Sequence, residues 1–398
     1  APGDGPATRV LFVLGPTAVG KSKLAIDLAL QFQGEVVSCD SMQIYKGFDV
    51  GSAKVTTEEQ AAVPHHMLNL CGPGETYDVT RYVTQAMGCI EDITRRGKLP
   101  IVCGGTMLYA QSLLFPSLLH GVAGREEEKP ELVMGAEEAY ALLSRLDPLS
   151  AKKLHPNDSR RVYRCLDVVK ASGKAPSQLV EEQNPDTEAV TLRYKSLIFF
   201  LDAAPEVLDA RCQRRIAGMV ADGILEEVLR LRPSCPGEYR YGLSQGIGYK
   251  EFAEILDDPA IKTAADVPAA ALENCLEKLR LNTRKYARGQ RKWLRNKLLK
   301  TTDQLPVYAV DTSRAETAWG DTVTALVNPL VEAWLQGQPY DPDHPSALPP
   351  SRGGAREWKK VQCERCGVVA NGPNEWEQHL QSKQHRRAKR PRIAEVVT

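Results

Sequence analysis

The stretch Gly15-Pro16-Thr17-Ala18-Val19-Gly20-Lys21-Ser22 constrains this chain more than any other. It fits the pattern G-x-x-x-x-G-K-[ST], and its flanks supply the context that gives the pattern meaning. Val10 to Leu14 is an apolar run of strand length, and Leu24, Ala25, Leu28 and Ala29 follow at helical spacing. A buried strand therefore turns through a glycine-bounded loop into a helix start. Backbone N–H groups and the positive helix end converge there on one point, which suits an anion. Lys21 adds a charge, and Ser22 offers a hydroxyl to a magnesium ion. The loop is expected to grip a diphosphate or triphosphate.

The rest of the chain reads as an open α/β fold around that loop. Glu35 to Cys39 is a short strand ending at Asp40-Ser41-Met42-Gln43. Ligands of open parallel sheets bind beyond the carboxyl ends of the strands, so Asp40 is a functional candidate; capping a helix start is its structural alternative. Asp78 is placed to cap a helix running to about Arg96. Leu99 to Cys103 is another strand, ending in Gly104-Gly105-Thr106 without the carboxylate that NTP hydrolases place there. That absence argues against an energy-coupling ATPase. Residues 118–189 form a mostly helical insertion, with Leu142, Leu143 and Leu146 on one helical face. Within it, His155-Pro156-Asn157-Asp158 turns into a helix that carries Arg160 and Arg161 and points Val162, Leu166 and Val169 inward; His155 itself suits a structural turn. Ser196 to Asp202 returns as a core strand. Pro205 starts a helix bearing Arg211, Arg214 and Arg215, and Val307 to Val310 adds a last strand.

The charge pattern points to a polyanion. Net charge is only +1. Yet residues 273–300 hold ten Lys and Arg against two Glu, and residues 351–398 hold eleven against five. Two basic islands on an otherwise acidic chain suit nucleic acid. The first island is a helix with Leu272, Leu276, Leu279, Tyr286 and Trp293 on one stripe. Arg280, Arg284, Arg288, Arg291 and Arg295 form a second stripe, with Lys292 beside it. No acid follows Glu277 on this helix before Lys300, so the stripe is expected to track phosphates. No apolar run reaches the length of a membrane span. Eight of the ten cysteines are scattered singly, as in chains with reduced, buried thiols.

Proline and glycine between residues 337 and 358 mark a linker. Beyond it, Cys363-x2-Cys366-x12-His379-x5-His385 offers two thiolates and two imidazoles at the spacing of a tetrahedral zinc site. Trp376 and Leu380 are expected to give this small hairpin-plus-helix unit its apolar core. Lys383, Arg386 and Arg387 open a basic tail suited to structured RNA and to nuclear import.

In order along the chain these motifs resemble the tRNA dimethylallyltransferases (tRNA isopentenyltransferases), in their eukaryotic form with a C-terminal zinc finger. The resemblance rests on the loop from Gly15, on Asp40-Ser-Met-Gln-Ile-Tyr-Lys46, on Gly104-Gly-Thr106 and on His155-Pro-Asn-Asp158. It continues through Ser244-Gln-Gly-Ile-Gly-Tyr-Lys-Glu251 and Arg284-Lys-Tyr-Ala-Arg-Gly-Gln-Arg-Lys-Trp293. It implies transfer of a dimethylallyl group from its diphosphate to N6 of the adenosine 3′ of the anticodon in tRNA. Thr17, Ala18, Val19, Gly20, Lys21 and Ser22 would then hold the diphosphate, with magnesium on Ser22. Asp40 matches the proposed general base, Thr106 a residue at the reacting centre, and Ser41 and Gln43 contacts to the adenine. Arg211 or Arg215 would reach the diphosphate, Arg215 being preferred. Met107 stands where bacterial members often have Gly.

The expected architecture is a P-loop NTPase-like α/β core with a parallel sheet (residues 1–117 and 190–336), the insertion (118–189), the linker (337–358), and the C2H2-type finger with its tail (359–392). A monomer working in the cytoplasm, in mitochondria or in both is expected. The competing readings are a nucleotide kinase-like phosphotransferase and a non-catalytic RNA-binding protein.

Overall fold

The computed structural model describes residues 8–116, 134–183, 192–235, 242–300, 305–314, 318–348, 360–371 and 373–387. The charged stretch opening the insertion, the prolines at 349 and 350, and the tail beyond Arg387 lie outside the described residues, as do the side chains of Arg160 and Arg295.

In chain order, β1 (Arg9–Leu14) leads through the glycine-bounded loop to α1 (Lys21–Phe32) and β2 (Gly34–Cys39). A long segment carrying α2 (Thr57–Ala62) and β3 (His65–His66) precedes α3 (Val79–Arg95), β4 (Leu99–Gly104) and α4 (Met107–Leu114). Four helices follow: α5 (Ala136–Leu146), α6 (Pro148–Lys153), α7 (Ser159–Ser172) and α8 (Pro176–Gln183). The chain returns with β5 (Lys195–Asp202), α9 (Pro205–Ala221), α10 (Ile224–Leu231), the short α11 (Ala253–Leu256) and the long α12 (Ala269–Asn296). Then come β6 (Val307–Asp311) and α13 (Ala325–Leu335), and last β7 (Lys360–Gln362), β8 (Val369–Asn371), α14 (Pro373–Gln381) and α15 (Lys383–Arg387).

The strands β1 to β6 form one sheet in the order β3-β2-β4-β1-β5-β6, with every pairing parallel. β1 lies between β4 and β5. Its period of two sends Val10, Phe12 and Leu14 into one core layer and Leu11 and Val13 into the other. All five side chains are fully buried, which is worth on the order of 10 kcal/mol. The strand that delivers the phosphate loop is therefore firmly anchored in the core. One face of the sheet is covered by α3, α4 and the end of α12, the other by α1 and α13. α3 starts where expected: Asp78 accepts from the Arg81 N–H at 2.7 Å, and Tyr82, Val83, Ala86, Ile90 and Ile93 turn inward. A third apolar cluster joins α9, α10 and the first half of α12 to Ile44, Tyr45 and Phe48 from the segment after β2.

The start of the expected linker is not loose. Ser346 and Leu348 exchange backbone hydrogen bonds with Ala309 and Val307 of β6, and Tyr340 and His344 meet the Tyr308 ring edge-on. β6 is an edge strand, and this segment covers an edge that would otherwise offer unpaired backbone groups. The compact unit built on the sheet comprises Ala1–Leu119 and Ala189–Arg352.

The second compact unit comprises His120–Glu188 and Gly353–Thr398. In its helical part Ala139, Leu143, Ala151, Leu154 and Val162 form the buried core. The inward face of α5 is thus Ala139 and Leu143, four residues apart. Leu146, expected on that face, is 47% exposed, because α5 ends there and the chain turns at Asp147 into α6. Asp158 caps α7 by accepting from the Arg161 N–H. The His155 ring, just before that cap, pairs with Glu375 of α14 within the same unit.

Candidate active site

The phosphate loop curls through left-handed residues at Ala18 (φ 62°) and Gly20 (φ 97°). Gly15 must be glycine, since a Cβ there would lie 2.4 Å from the Leu201 carbonyl oxygen of β5. Lys21 turns back across its own loop and donates to the Pro16 carbonyl at 2.7 Å. Burial pulls the Lys21 ammonium down to about 8; Arg215 adds to the fall, while Asp40 opposes it. Ser22 is exposed in the first turn of α1 and makes no side-chain hydrogen bond among the described residues.

This lowered Lys21 sets a pH dependence. The unfolded lysine binds its proton up to about 10.5, whereas in the folded protein it is released near 8. Folding stability of the unliganded protein therefore rises with pH between these values. A diphosphate held on this loop would restore the charge, so its binding near pH 9 is expected to take up about half a proton or more. Calorimetry in buffers of different ionisation enthalpy measures this uptake, and Lys21→Met should remove it.

Asp40 sits where expected, directly after β2. One carboxylate oxygen accepts from the Met42 N–H at 2.9 Å, which pins the turn. Its other oxygen has no hydrogen-bond partner among the described residues. The structural and functional roles are thus compatible: one oxygen holds the backbone and one is left over. Thr106 lies beside it. The Thr106 hydroxyl accepts from the Ser41 N–H at 3.0 Å, and its own N–H reaches the Cys39 carbonyl. Ser41 and Thr106 hydroxyls are 3.4 Å apart. Gln43 is more committed than the sequence suggests: its carbonyl oxygen accepts from the Ser38 hydroxyl at 2.8 Å, and its amide nitrogen lies 3.4 Å from the Ala53 oxygen. The buried thiols of Cys39 and Cys103 flank these loops. Burial pushes both up to about 12, which keeps them protonated and unreactive.

The two candidate arginines of α9, Arg211 and Arg215, separate. Arg211 spends its guanidinium on Thr312 after β6, at 3.0 Å to the hydroxyl and 2.6 Å to the carbonyl. Arg215 lies within electrostatic reach of Asp40. Burial pulls its guanidinium down while the Asp40 charge holds it up, and one nitrogen lies 3.4 Å from the Ser52 carbonyl.

α12 departs most from expectation. Its arginine stripe is not free of acids, because beyond Glu277 they arrive from other elements. Arg291 pairs with Asp202 at the end of β5 at 2.9 Å, and Arg288 with Asp209 of α9 at 3.7 Å. Arg280 pairs with Glu273 and Glu277 of its own helix. Arg284 keeps a buried Nε without a hydrogen-bond partner among the described residues, and Lys292 is exposed. Reading one helix alone could not find partners that only the fold brings near. Tyr286, assigned to the apolar stripe, is 39% exposed, while its hydroxyl lies 3.5 Å from the Gly105 carbonyl. Burial, reinforced by the Asp40 charge, pushes that hydroxyl up, so it stays protonated.

Two further residues lie against the site. Gln290 is buried, accepts from the Thr17 N–H at 2.9 Å and donates to the Gly105 carbonyl at 2.8 Å. Its partners are 273 and 185 residues away in sequence, beyond any local pattern. Trp319, just before α13, covers the outside of the phosphate loop: a Cβ on Gly20 would sit 3.0 Å from its ring. Its indole N–H donates to Asp27 at 2.7 Å. A lone Trp after a strand carries no sequence signal for that.

Cys363, Cys366, His379 and His385 converge, with all four ligand atoms within 4.8 Å of one another. Cys366 Sγ lies 3.2 Å from His379 Nε2, Cys363 Sγ 3.4 Å from His385 Nδ1, and the two imidazole nitrogens are 3.1 Å apart. Zinc bonds of roughly 2.0 Å to nitrogen and 2.3 Å to sulfur in a tetrahedron have edges of this size, so the set fits zinc. β7 and β8 pair as an antiparallel hairpin, and α14 carries His379. Trp376 leans on the His379 ring as expected, but Leu380 is 40% exposed; among the described residues the buried ones here are Cys363, Ala370 and His379. In a unit this small the metal replaces an apolar core. Lys383, Arg386 and Arg387 are exposed on α15.

Comparison with known proteins finds similarity over most of the chain. Residues 43–297 match the family model described as IPP transferase, and residues 8–68 the one described as Isopentenyl transferase. Residues 361–385 match a zinc finger of C2H2 type. The chain is 33% identical over 404 residues to a tRNA dimethylallyltransferase of Saccharomyces cerevisiae, covering 95% of this chain and 91% of the yeast protein. It is 33% identical over 402 residues to one of Mus musculus, covering 94% and 85%. A crystal structure of a eukaryotic dimethylallyltransferase acting on tRNA has a TM-score of 0.80 and 31% identity, with 96% of each chain covered.

Proposed function

The chain belongs to the IPP transferase family, and from that premise we propose that it transfers a dimethylallyl group from dimethylallyl diphosphate to N6 of the adenosine 3′ of the anticodon in tRNA. The observation that carries the reading is the Asp40 carboxylate, with one oxygen anchored on Met42 and the other left over, in the same electrostatic neighbourhood as Lys21 and Arg215.

The chemistry follows from the reactants. Adenine's exocyclic amine is a weak nucleophile because its lone pair is delocalised into the ring. The spare oxygen of Asp40 orients the amine and takes its proton as the bond from N6 to the allylic carbon forms. The carbon–oxygen bond to the diphosphate breaks at the same time, and its electron pair leaves with the diphosphate. Lys21, Arg215 and the loop amides meet that growing negative charge in a buried site, where such interactions are strongest. Thr106 fixes the backbone of Ser41, keeping the acceptor side of the site in place. When bound, magnesium would neutralise part of the diphosphate charge, with the exposed Ser22 hydroxyl as its protein ligand. The adenosine must leave its stack in the anticodon loop to enter such a site.

Zinc held by Cys363, Cys366, His379 and His385 would order the finger, whose exposed Lys383, Arg386 and Arg387 suit RNA phosphates. Cys366→Ser is expected to weaken tRNA binding roughly tenfold and lower its salt dependence, with the rate at saturating tRNA within about twofold of the parent. Titrations at two salt concentrations and a saturating-tRNA assay check both halves.

The reading is tested by incubating the protein with an unmodified tRNA, dimethylallyl diphosphate and magnesium, then digesting the tRNA for nucleoside mass spectrometry. One adenosine should gain a single five-carbon isoprenoid unit; tRNA that stays unmodified would refute the proposal.

A further inference from the structure

Two loops have to be held at a fixed spacing for this reaction. The loop of residues 15–22 carries the donor, and the ends of β2 and β4, with Asp40 and Thr106, face the acceptor. They belong to different strands, and β1 and β4 pair only as far as Leu14 and Gly104. Beyond that register something else must join the loops.

Gln290 does so with one amide group. Its oxygen takes the Thr17 N–H at 2.9 Å on the donor loop, and its nitrogen gives a hydrogen bond to the Gly105 carbonyl at 2.8 Å, one residue before Thr106. The side chain is 4% exposed, so both bonds are shielded from water. Ion pairs on either side aim it: Arg291 is held by Asp202 and Arg288 by Asp209. Gly105 is shaped to admit it, because a Cβ there would lie 2.2 Å from the Gln290 nitrogen. At this reach a single amide tip accepts with its oxygen and donates with its nitrogen, which is what the two backbone groups require.

Resting on the reading above, we infer that Gln290 is a positioning residue that sets the distance between the donor cradle and the acceptor loop. It touches neither reacting atom. It acts through Thr17 on the diphosphate and through Gly105 on Thr106. A misplacement on the order of 1 Å costs about a hundredfold in rate when reacting atoms must meet in line.

The test uses the full-length protein and three variants. Gln290→Met keeps volume and removes both hydrogen bonds; Gln290→Asn keeps the amide but shortens its reach by one methylene; Gly105→Ala displaces the Gln290 amide from the other side. Each is expected to lower kcat by about 10–100-fold, with KM for dimethylallyl diphosphate within about threefold of the parent. The Gln290→Met/Gly105→Ala double variant should lose little beyond either single change, since both break one bridge. A merely structural role predicts lower melting temperature with kcat intact on folded protein. If Gln290→Met fails to fold, Gln290→Asn and Gly105→Ala carry the same comparison. A kcat within twofold of the parent, a loss confined to KM, or additive losses in the double variant would overturn the inference. Failure of the parent protein to prenylate tRNA would instead refute the functional reading.

Discussion

Asp40→Asn is expected to slow prenyl transfer by about 10²–10⁴-fold, with tRNA affinity nearly unchanged. The substitution is nearly isosteric, and the asparagine side-chain oxygen can still accept from the Met42 N–H, so the turn after β2 should survive. What disappears is a group able to take a proton from N6. The loss therefore belongs in kcat. Single-turnover rates with saturating donor and tRNA measure it directly, and filter binding reports affinity separately. A rate within about threefold of the parent would remove Asp40 from the chemistry and leave only its role as a turn residue.

Arg215→Met should lower kcat/KM by about 10²–10³, the usual scale for losing one preorganised group that meets developing charge. Arg211→Met, four residues earlier on the same helix, should behave differently. Its guanidinium is spent on Thr312, so its removal is expected to cost about 1–3 kcal/mol of stability and little catalysis. The contrast separates two arginines that lie on one helix face. Steady-state kinetics and thermal unfolding on both variants provide the check. Equal kinetic losses would mean that Arg211 leaves Thr312 when the diphosphate binds.

The sheet was legible because its strands are apolar runs closed by recognisable loops. Val10 to Leu14 could face only inward, and the pattern after it left few ways to fold. The zinc ligands were legible for a similar reason: four side chains with one chemistry at fixed spacing, gathered in the folded unit. The position of Asp40 directly after β2 was legible because an apolar strand ends there. The failures share a cause. Arg288 and Arg291 looked unrelieved because Asp209 and Asp202 lie on α9 and β5, some eighty to ninety residues away. Gln290 carries no periodic signal, and its value comes from two backbone groups distant in sequence. The packed start of the linker was hidden by its prolines: such a segment reads as loose until an edge strand needs covering. Local pattern finds groups that act through their own neighbours in sequence, and it misses those whose partners arrive by folding.

The most direct measurement of the central claim follows two labels from one donor. Dimethylallyl diphosphate carrying carbon-14 in the dimethylallyl group and phosphorus-32 in the diphosphate is incubated with the protein, magnesium and unmodified tRNA. Carbon label is expected on the adenosine 3′ of the anticodon, with all phosphorus label in free diphosphate released in equal amount. Phosphorus label on the acceptor, or tRNA without carbon label, would contradict that claim.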